Sequence, residues 1–382
     1  MKVPGSTILQ EEDDRDSLIV ALDFGTTFSG IAYSFSTDTE KIYTITEWPG
    51  AEARIVPKTP TAIWYAPHTY ESFDWGYDVD MSIADKITAL KLLFDPGQRR
   101  PYPLPDNFAE TEIAKLPKPV VDVAADYMEA IFKHAMEEIE VDSVDPSFVD
   151  CFQKKFILTV PAVWSDKAKS MTLAAARKAG ISPVEMITEP EAAALYTLHS
   201  MKSKGLQPGD AVVICDAGGG TVDLVSYEIL SLDPFKLKAL TAPSGGVCGS
   251  LMVNGLFEEE VRKTVGDTAY SELRTTYAYC SGLTDFDTVI KPAFRGWGDR
   301  DNEAMVRIFD PVVKEIESLV AEQITALRLE RLEMDEKPEK GVAAIFLVGG
   351  FGSSVYLKSI LEKSNPGVRV IQPREAWSAI VK

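Results

Sequence analysis

Apolar residues in this chain fall into short runs punctuated by polar turns, and two of the runs share one grammar. Leu18-Ile19-Val20-Ala21-Leu22 runs into Asp23, turns through Gly25-Thr26-Thr27 and resumes as an alternating stretch from Phe28 to Phe35. Ala211-Val212-Val213-Ile214-Cys215 runs into Asp216, turns through Gly218-Gly219-Gly220-Thr221 and resumes from Val222 to Ile229. An apolar run, a glycine-rich turn and a period-two continuation predict a β-hairpin. The surrounding elements repeat as well. The first half predicts strands near 18–24, 28–36 and 41–46, a helix near 121–140, a strand at 156–160, a helix at 166–179, a strand at 184–188 and a helix from Glu189. In the long helix, Val121, Ala125, Met128, Phe132, Ala135 and Ile139 recur at helical spacing. The second half predicts strands near 211–216, 221–230 and 235–242, helices near 250–265 and 302–330, a strand at 344–348, a helix from Ser353, a strand at 368–371 and a helix that the chain cuts off at Lys382. Each half reads as three antiparallel-type strands followed by αβαβα, an α/β layer structure.

At 382 residues the chain exceeds the size at which single cores usually stop growing. The expected division is an acidic, disordered head at 1–17, a first lobe at 18–205 and a second at 206–382 with its closing helix truncated. An inserted subdomain is expected at about 51–118, with an extended proline-rich loop from Pro96 to Pro119, and another at about 255–330, where Trp297 between two glycines marks a rim. The stretch from Asp335 to Gly341 reads as a surface connection. The 39 Lys and Arg against 58 Asp and Glu give a net charge of −19, which disfavours nucleic acid and anionic membrane as partners. Cys151, Cys215, Cys248 and Cys280 fit neither a zinc pattern nor a disulfide framework. No apolar run approaches the ~20 residues of a membrane span. The expectation is a soluble monomer of the cytoplasm or nucleus.

The chemistry lies in the repeated hairpins. Glycine turns bring backbone N–H groups close to an anion, and two such turns facing each other would hold a polyphosphate from both sides. An aspartate at the end of each first strand is then repelled unless a cation intervenes. A single glycine-rich turn is more often only a tight turn; the duplication with flanking aspartates points to a metal-nucleotide site between two lobes.

Four motifs carry a family resemblance. They are Leu22-Asp23-Phe24-Gly25-Thr26-Thr27-Phe28-Ser29; Thr159-Val160-Pro161-Ala162 with Ile187-Thr188-Glu189-Pro190-Glu191-Ala192; Asp216-Ala217-Gly218-Gly219-Gly220-Thr221-Val222-Asp223; and Leu347-Val348-Gly349-Gly350-Phe351-Gly352-Ser353-Ser354. In this order, spanning most of the chain, they resemble the nucleotide-binding domain of the seventy-kilodalton heat-shock chaperones, within the actin-like ATPase superfamily. The resemblance implies a two-lobed actin-like fold with a duplicated ribonuclease H-like βββαβαβα core and inserted subdomains. It implies slow Mg2+-dependent hydrolysis of ATP to ADP that drives lobe closure, with K+ as an accessory cation and co-chaperones or nucleotide-exchange factors as partners.

The resemblance also assigns residues. Asp23, Glu189 and Asp216 would hold Mg2+ through waters, and Asp223 would bind a monovalent cation or orient water. The turns Gly25, Thr26, Thr27, Phe28 and Gly218, Gly219, Gly220, Thr221 would cradle the phosphates, with Thr221 also counted among the catalytic groups. Lys91 would position the attacking water, although a lysine on a helix surface is usually solvated. Gly245 and Gly246 are counted with the nucleotide contacts, and Gly349, Gly350, Gly352 and Ser353 would leave room for adenosine. Two features depart from the family. Gly245-Gly246-Val247-Cys248-Gly249-Ser250 replaces the usual Gly-Gly-Glu-Asp-Phe-Asp, and the adenine-clasping helix is absent around 270–300, with Lys291 as the stand-in. Gly246-Val247-Cys248-Gly249-Ser250 and Gly349-Gly350-Phe351-Gly352-Ser353-Ser354 resemble a divergent eukaryotic branch that keeps the ATPase and lacks the usual peptide-binding domain. The alternatives are a nucleotide-sensing module with little turnover and, less favoured, a small-metabolite kinase.

Overall fold

The computed structural model describes residues 16–38, 41–52, 54–67, 70–80, 83, 85–95, 108–142, 149–200, 205–233, 235–296, 303–333, 341–373 and 376–381. The acidic head, the first part of the proline-rich stretch, Trp297 and the connection at 335–340 lie outside them.

Two mixed sheets repeat one topology. In the first half, β1 (Ser17–Asp23) pairs antiparallel with β2 (Phe28–Phe35), β2 with β3 (Tyr43–Thr44) and also with the short β4 (Thr59–Pro60). A small separate sheet holds β5 (Ala62–Tyr65) between β6 (Phe73–Trp75) and β7 (Ile87–Thr88). The other edge of β1 pairs parallel with β8 (Gln153–Val160), and β8 with β9 (Val184–Thr188), giving the order β3-β2-β1-β8-β9. The second half has β10 (Ala211–Ala217), β11 (Val222–Leu232), β12 (Phe235–Ala239), β13 (Ser244–Gly246), β14 (Val342–Val348) and β15 (Arg369–Ile371). Its order is β12-β11-β10-β14-β15, with β13 pairing the start of β11 as β4 pairs the start of β2. The duplicated two-lobed α/β architecture expected from the sequence is therefore the fold.

Every residue of β10 is buried. Ala211, Val213, Cys215 and Ala217 face a core built with helices Ser250–Val265, Glu303–Glu333 and Val355–Ser364, while Val212 and Ile214 face a second core on the opposite side. A strand covered on both faces reads as a continuous apolar run, as this one does. The second core includes Ala193, Ala194 and Leu198 of helix Glu189–Ser200. That helix follows a strand of the first sheet yet packs on the second, which sets Glu189 at the seam between halves.

Several elements differ from expectation. Residues 108–113 form a helix where extended loop was predicted. The described residues of 255–330 form helices joined by short turns, with no strand among them, and the longest helix, Glu303–Glu333, packs on the second sheet through Val312, Val313, Ile316 and Val320. The last described residues, 376–381, form turns rather than a regular helix. No disulfide joins the cysteines, and among the described residues no helix is long and apolar enough to cross a membrane.

Candidate functional site

Strand register places the acidic groups. Asp23 ends β1 opposite Gly30, and Asp216 near the end of β10 lies directly opposite Asp223. Two like charges facing each other across a ladder repel, so the second pair needs positive charge nearby. Glu189 arrives from the seam as the first residue of its helix. Lys91 sits on a short 3-10 turn, Leu90–Leu93, in which all four side chains are buried, so the solvated reading of this lysine is overturned. Its ammonium hydrogen-bonds Glu189 and lies 5.5 Å from the centroid of the Trp164 ring. Asp95, just past that turn, accepts from the Ser165 N–H at 3.2 Å and ties it to the start of helix Asp166–Lys178.

The sequence reading missed Lys58. Its Nζ donates to Asp23 Oδ2 at 2.6 Å, while the Thr159 hydroxyl donates to Asp23 Oδ1 at 3.0 Å. The one signal available was a lysine inside the otherwise uncharged run Ile55-Val56-Pro57-Lys58-Thr59-Pro60-Thr61-Ala62-Ile63. Such a run predicts burial, and a buried lysine requires a partner.

Asp23, Glu189, Asp216, Asp223, Lys58 and Lys91 are each at most 5% exposed. Four carboxylates thus face two ammonium groups. Burial pushes the Asp23 carboxyl up, but Lys58 and Lys91 outweigh it and hold the group below its ordinary value. Burial lowers Lys91, and Glu189 and Asp23 more than restore it. For Glu189 burial wins over Lys91, and with the charges of Asp23 and Asp223 it takes the carboxyl up to about 7. Asp216 is driven well above the carboxylate range by burial and then by Glu189, Asp223 and Asp23. Asp223 is raised by burial against the opposing Val163 N–H, Lys91 and the Thr221 hydroxyl.

Two carboxylate oxygens, Asp216 Oδ1 and Asp223 Oδ2, are buried with no hydrogen-bond partner among the described residues. Orphaned buried acceptors mark a place for a ligand. Once ionised, the four carboxylates would exceed the two ammonium groups by two charges, and oxygen donors in such a deficit suit a hard divalent cation. Among the described residues no three His, Cys, Asp or Glu side chains are grouped as a direct metal-binding cluster, so Asp23, Glu189 and Asp216 do not form a direct three-ligand set.

The two glycine turns meet across the seam. A Cβ on Gly219 would overlap the Thr27 side chain, and one on Gly220 would lie 2.7 Å from Thr26 Oγ1. Within the turns, Gly25 N–H donates to Ser29 Oγ at 3.2 Å and Gly218 N–H to the Thr221 carbonyl at 2.9 Å. Those two N–H groups close the turns. The carbonyls of Gly218, Gly219 and Gly220 accept from Ser250, Leu251 and Gly249 at the start of helix Ser250–Val265, which fixes the peptide planes of that turn.

Gly245 pairs with Asp223 across β13 and β11, and Gly246 with Val222. Gly349, with φ +82°, abuts Asp216 Oδ1 closely enough that any Cβ would overlap it. Gly350 is exposed beside Trp377, Gly352 is buried, and Ser353 Oγ donates to the Gly350 carbonyl at 2.7 Å. The structure thus brings Gly349 to the acidic cluster and leaves Gly350 and Ser353 at its open side. Lys291, expected as a stand-in for the adenine clasp, is bonded to Asp287 one turn earlier in its own helical segment and, at 3.0 Å, to Asn254 Oδ1 on helix Ser250–Val265.

A family model described as Hsp70 protein matches residues 141–243, which include Glu189 and the turn from Asp216 to Asp223. The chain is 26% identical to heat shock 70 kDa protein 12B of Homo sapiens over 96% of this chain and 68% of that protein. Heat shock 70 kDa protein 12A of Mus musculus is 25% identical over the same shares. Chaperone protein HscA of Escherichia coli is 28% identical over 87% of this chain and 52% of its own length.

Proposed function

The chain is an Hsp70-family ATPase-domain protein of the actin-like superfamily, and from that premise we propose that it binds ATP with Mg2+ between its halves and slowly hydrolyses it to ADP and phosphate. The observation that carries this reading is the pair of buried oxygens, without a hydrogen-bond partner among the described residues, on Asp216 and Asp223, which are paired across the strands that flank the second glycine turn. The N–H groups of Thr26, Thr27 and Phe28 on one side and of Gly219, Gly220 and Thr221 on the other bind the β- and γ-phosphates. Gly349, Gly350, Gly352 and Ser353 line the adenosine side, and Gly245 and Gly246 hold the strand next to Asp223. When bound, Mg2+ supplies the charge that the carboxylates lack and that the phosphates need, with Asp23, Glu189 and Asp216 reaching it through its waters. Asp223 orients the attacking water or a K+ ion, with the Thr221 hydroxyl beside it. Lys91, held by Glu189, offsets charge that grows on the phosphoryl oxygens. Phosphoryl transfer asks for positioning and electrostatics more than covalent help, which such a site can provide.

Hydrolysis alters the contacts between the two turns and so the set of the lobes. A chaperone-like protein of this kind would present those lobe positions to co-chaperones or exchange factors. The second reading, a nucleotide-gated module with little turnover, is favoured by the direct engagement of Lys91 with Glu189. Single-turnover conversion of pre-bound labelled ATP, with Mg2+ and K+, separates the two. Conversion to bound ADP, slowed ~100-fold or more by Asp216→Asn, is the expected result. Retained, unconverted ATP would establish the gated module, and no retained nucleotide would remove both readings.

A further inference from the structure

The two halves differ at the position opposite each leading aspartate. In the second half Asp216 faces Asp223. In the first half Asp23 faces Gly30, and the missing side chain leaves space that the Lys58 stem fills, since a Cβ on Gly30 would lie 2.9 Å from Lys58 Cγ and 2.8 Å from the Pro57 carbonyl. Lys58 directly precedes β4, whose residues pair with Phe28 and Ser29, and Thr61 N–H donates to the Thr27 carbonyl at 2.8 Å. The lysine is therefore zipped to the first glycine turn. Its charge also acts on Asp216 across the seam, in opposition to the surrounding carboxylates.

An ammonium has three N–H donors. Among the described residues Lys58 Nζ is hydrogen-bonded to Asp23 alone, and its side chain is only 6% exposed. A buried cation with donors to spare, fixed beside a turn that presents further N–H groups, is built for an anion.

We propose that Lys58 is a resident cation of the polyphosphate site, which donates to a phosphate oxygen of the bound nucleotide while holding Asp23, so that nucleoside diphosphate binding persists without a divalent metal. This rests on the nucleotide site proposed above. Asymmetry follows from it: the first half brings its own positive charge to the phosphates, and the second, with Asp223 in the corresponding place, depends on metal.

The test is calorimetric titration of the full chain with ADP, in Mg2+ and in EDTA. The wild type is expected to bind in both, and Lys58→Met to lose metal-free affinity ~10- to 100-fold, the range of one charge-assisted bond to phosphate, with a smaller loss in Mg2+. Lys58→Arg should recover most of the metal-free binding. Because Lys58→Met leaves Asp23 buried and unpaired and can fail to fold, Asp23→Asn/Lys58→Met removes both charges together. If Lys58 were only the counterion of Asp23, that double variant would bind metal-free ADP like the wild type, and the proposal would be overturned; a persistent loss supports it. Wild-type binding in Mg2+ but none in EDTA overturns it while leaving the nucleotide site standing. No ADP binding under either condition removes the nucleotide site itself, and this proposal with it.

Discussion

Burial drives the Glu189 carboxyl up to about 7 in spite of Lys91, and it raises Asp216 and Asp223 as well. The folded, metal-free protein therefore keeps protons on these groups at a pH where the unfolded chain, with Glu near 4.5, has released them. The stability they contribute is fully present below the unfolded value and is lost as pH rises through the folded one, between about 4.5 and about 7 for Glu189. Asp23 has the opposite sign: its lowered value gives stability that is lost only in stronger acid, below the unfolded value of 3.8. In EDTA and without nucleotide, the thermal midpoint should fall as pH is raised through the Glu189 window, and Glu189→Gln should flatten that slope. A wild-type midpoint that climbs across the window, or an unchanged slope in the variant, would count against the buried acid cluster. At this scale the sequence pointed to Asp23 and Asp216, because each closes an apolar strand before a glycine turn, while Glu189 and Asp223 came from the family resemblance. The sequence hid Lys58, whose partner is 35 residues away and whose importance comes from the empty place at Gly30.

Helix Glu303–Glu333 is held to the second sheet by more than its apolar stripe. Gln323, in the middle of that stripe, donates from Nε2 to Thr241 Oγ1 at 2.5 Å and to Ser226 Oγ at 3.3 Å, and its Oε1 accepts from Ser244 Oγ at 2.6 Å. One buried amide thus joins the helix to β11 and to the segment that leads through β13 toward the Gly245–Asp223 pairing. Gln323→Leu would strand buried hydroxyl groups and is expected to cost about 1–3 kcal/mol, read as a lower urea midpoint. A loss of less than a few tenths would mean that the network relaxes around leucine or is wet. Element identity was largely legible because hairpins, alternation and helical spacing are local properties. Helix 108–113 was not, since flanking prolines argued for loop, whereas its Ala109 is buried in the first core. Nor did periodicity show that helix Glu189–Ser200 leaves its own sheet to cover the other, because an apolar face does not state which surface it covers.

The duplication itself could be read from the chain, and the equal strand orders of the two sheets are its structural counterpart. The contacts that join the halves could not, because they pair residues far apart in sequence with no pattern to announce them. Leu92, one residue past Lys91, enters the core of the second half. Asp223 Oδ1 accepts from the Val163 N–H at 3.3 Å, and the Phe28 ring meets Trp377 edge-on with centroids 5.4 Å apart. Phe28 follows the first glycine turn, and Trp377 lies against Gly350, in the segment proposed above to line adenosine. With Thr27 against Gly219 as well, a triphosphate seated between the turns as proposed above would have to reset this row of contacts. ATP with Mg2+ should therefore change the Phe28–Trp377 contact and, with it, the emission of that tryptophan. Trp377→Phe keeps an aromatic ring at the seam and removes the reporter, so the ATP-dependent emission change should largely vanish in the variant while nucleotide binding, followed by calorimetry, remains. An equal emission change in wild type and variant would place the movement elsewhere and leave the seam between Phe28 and Trp377 as fixed packing.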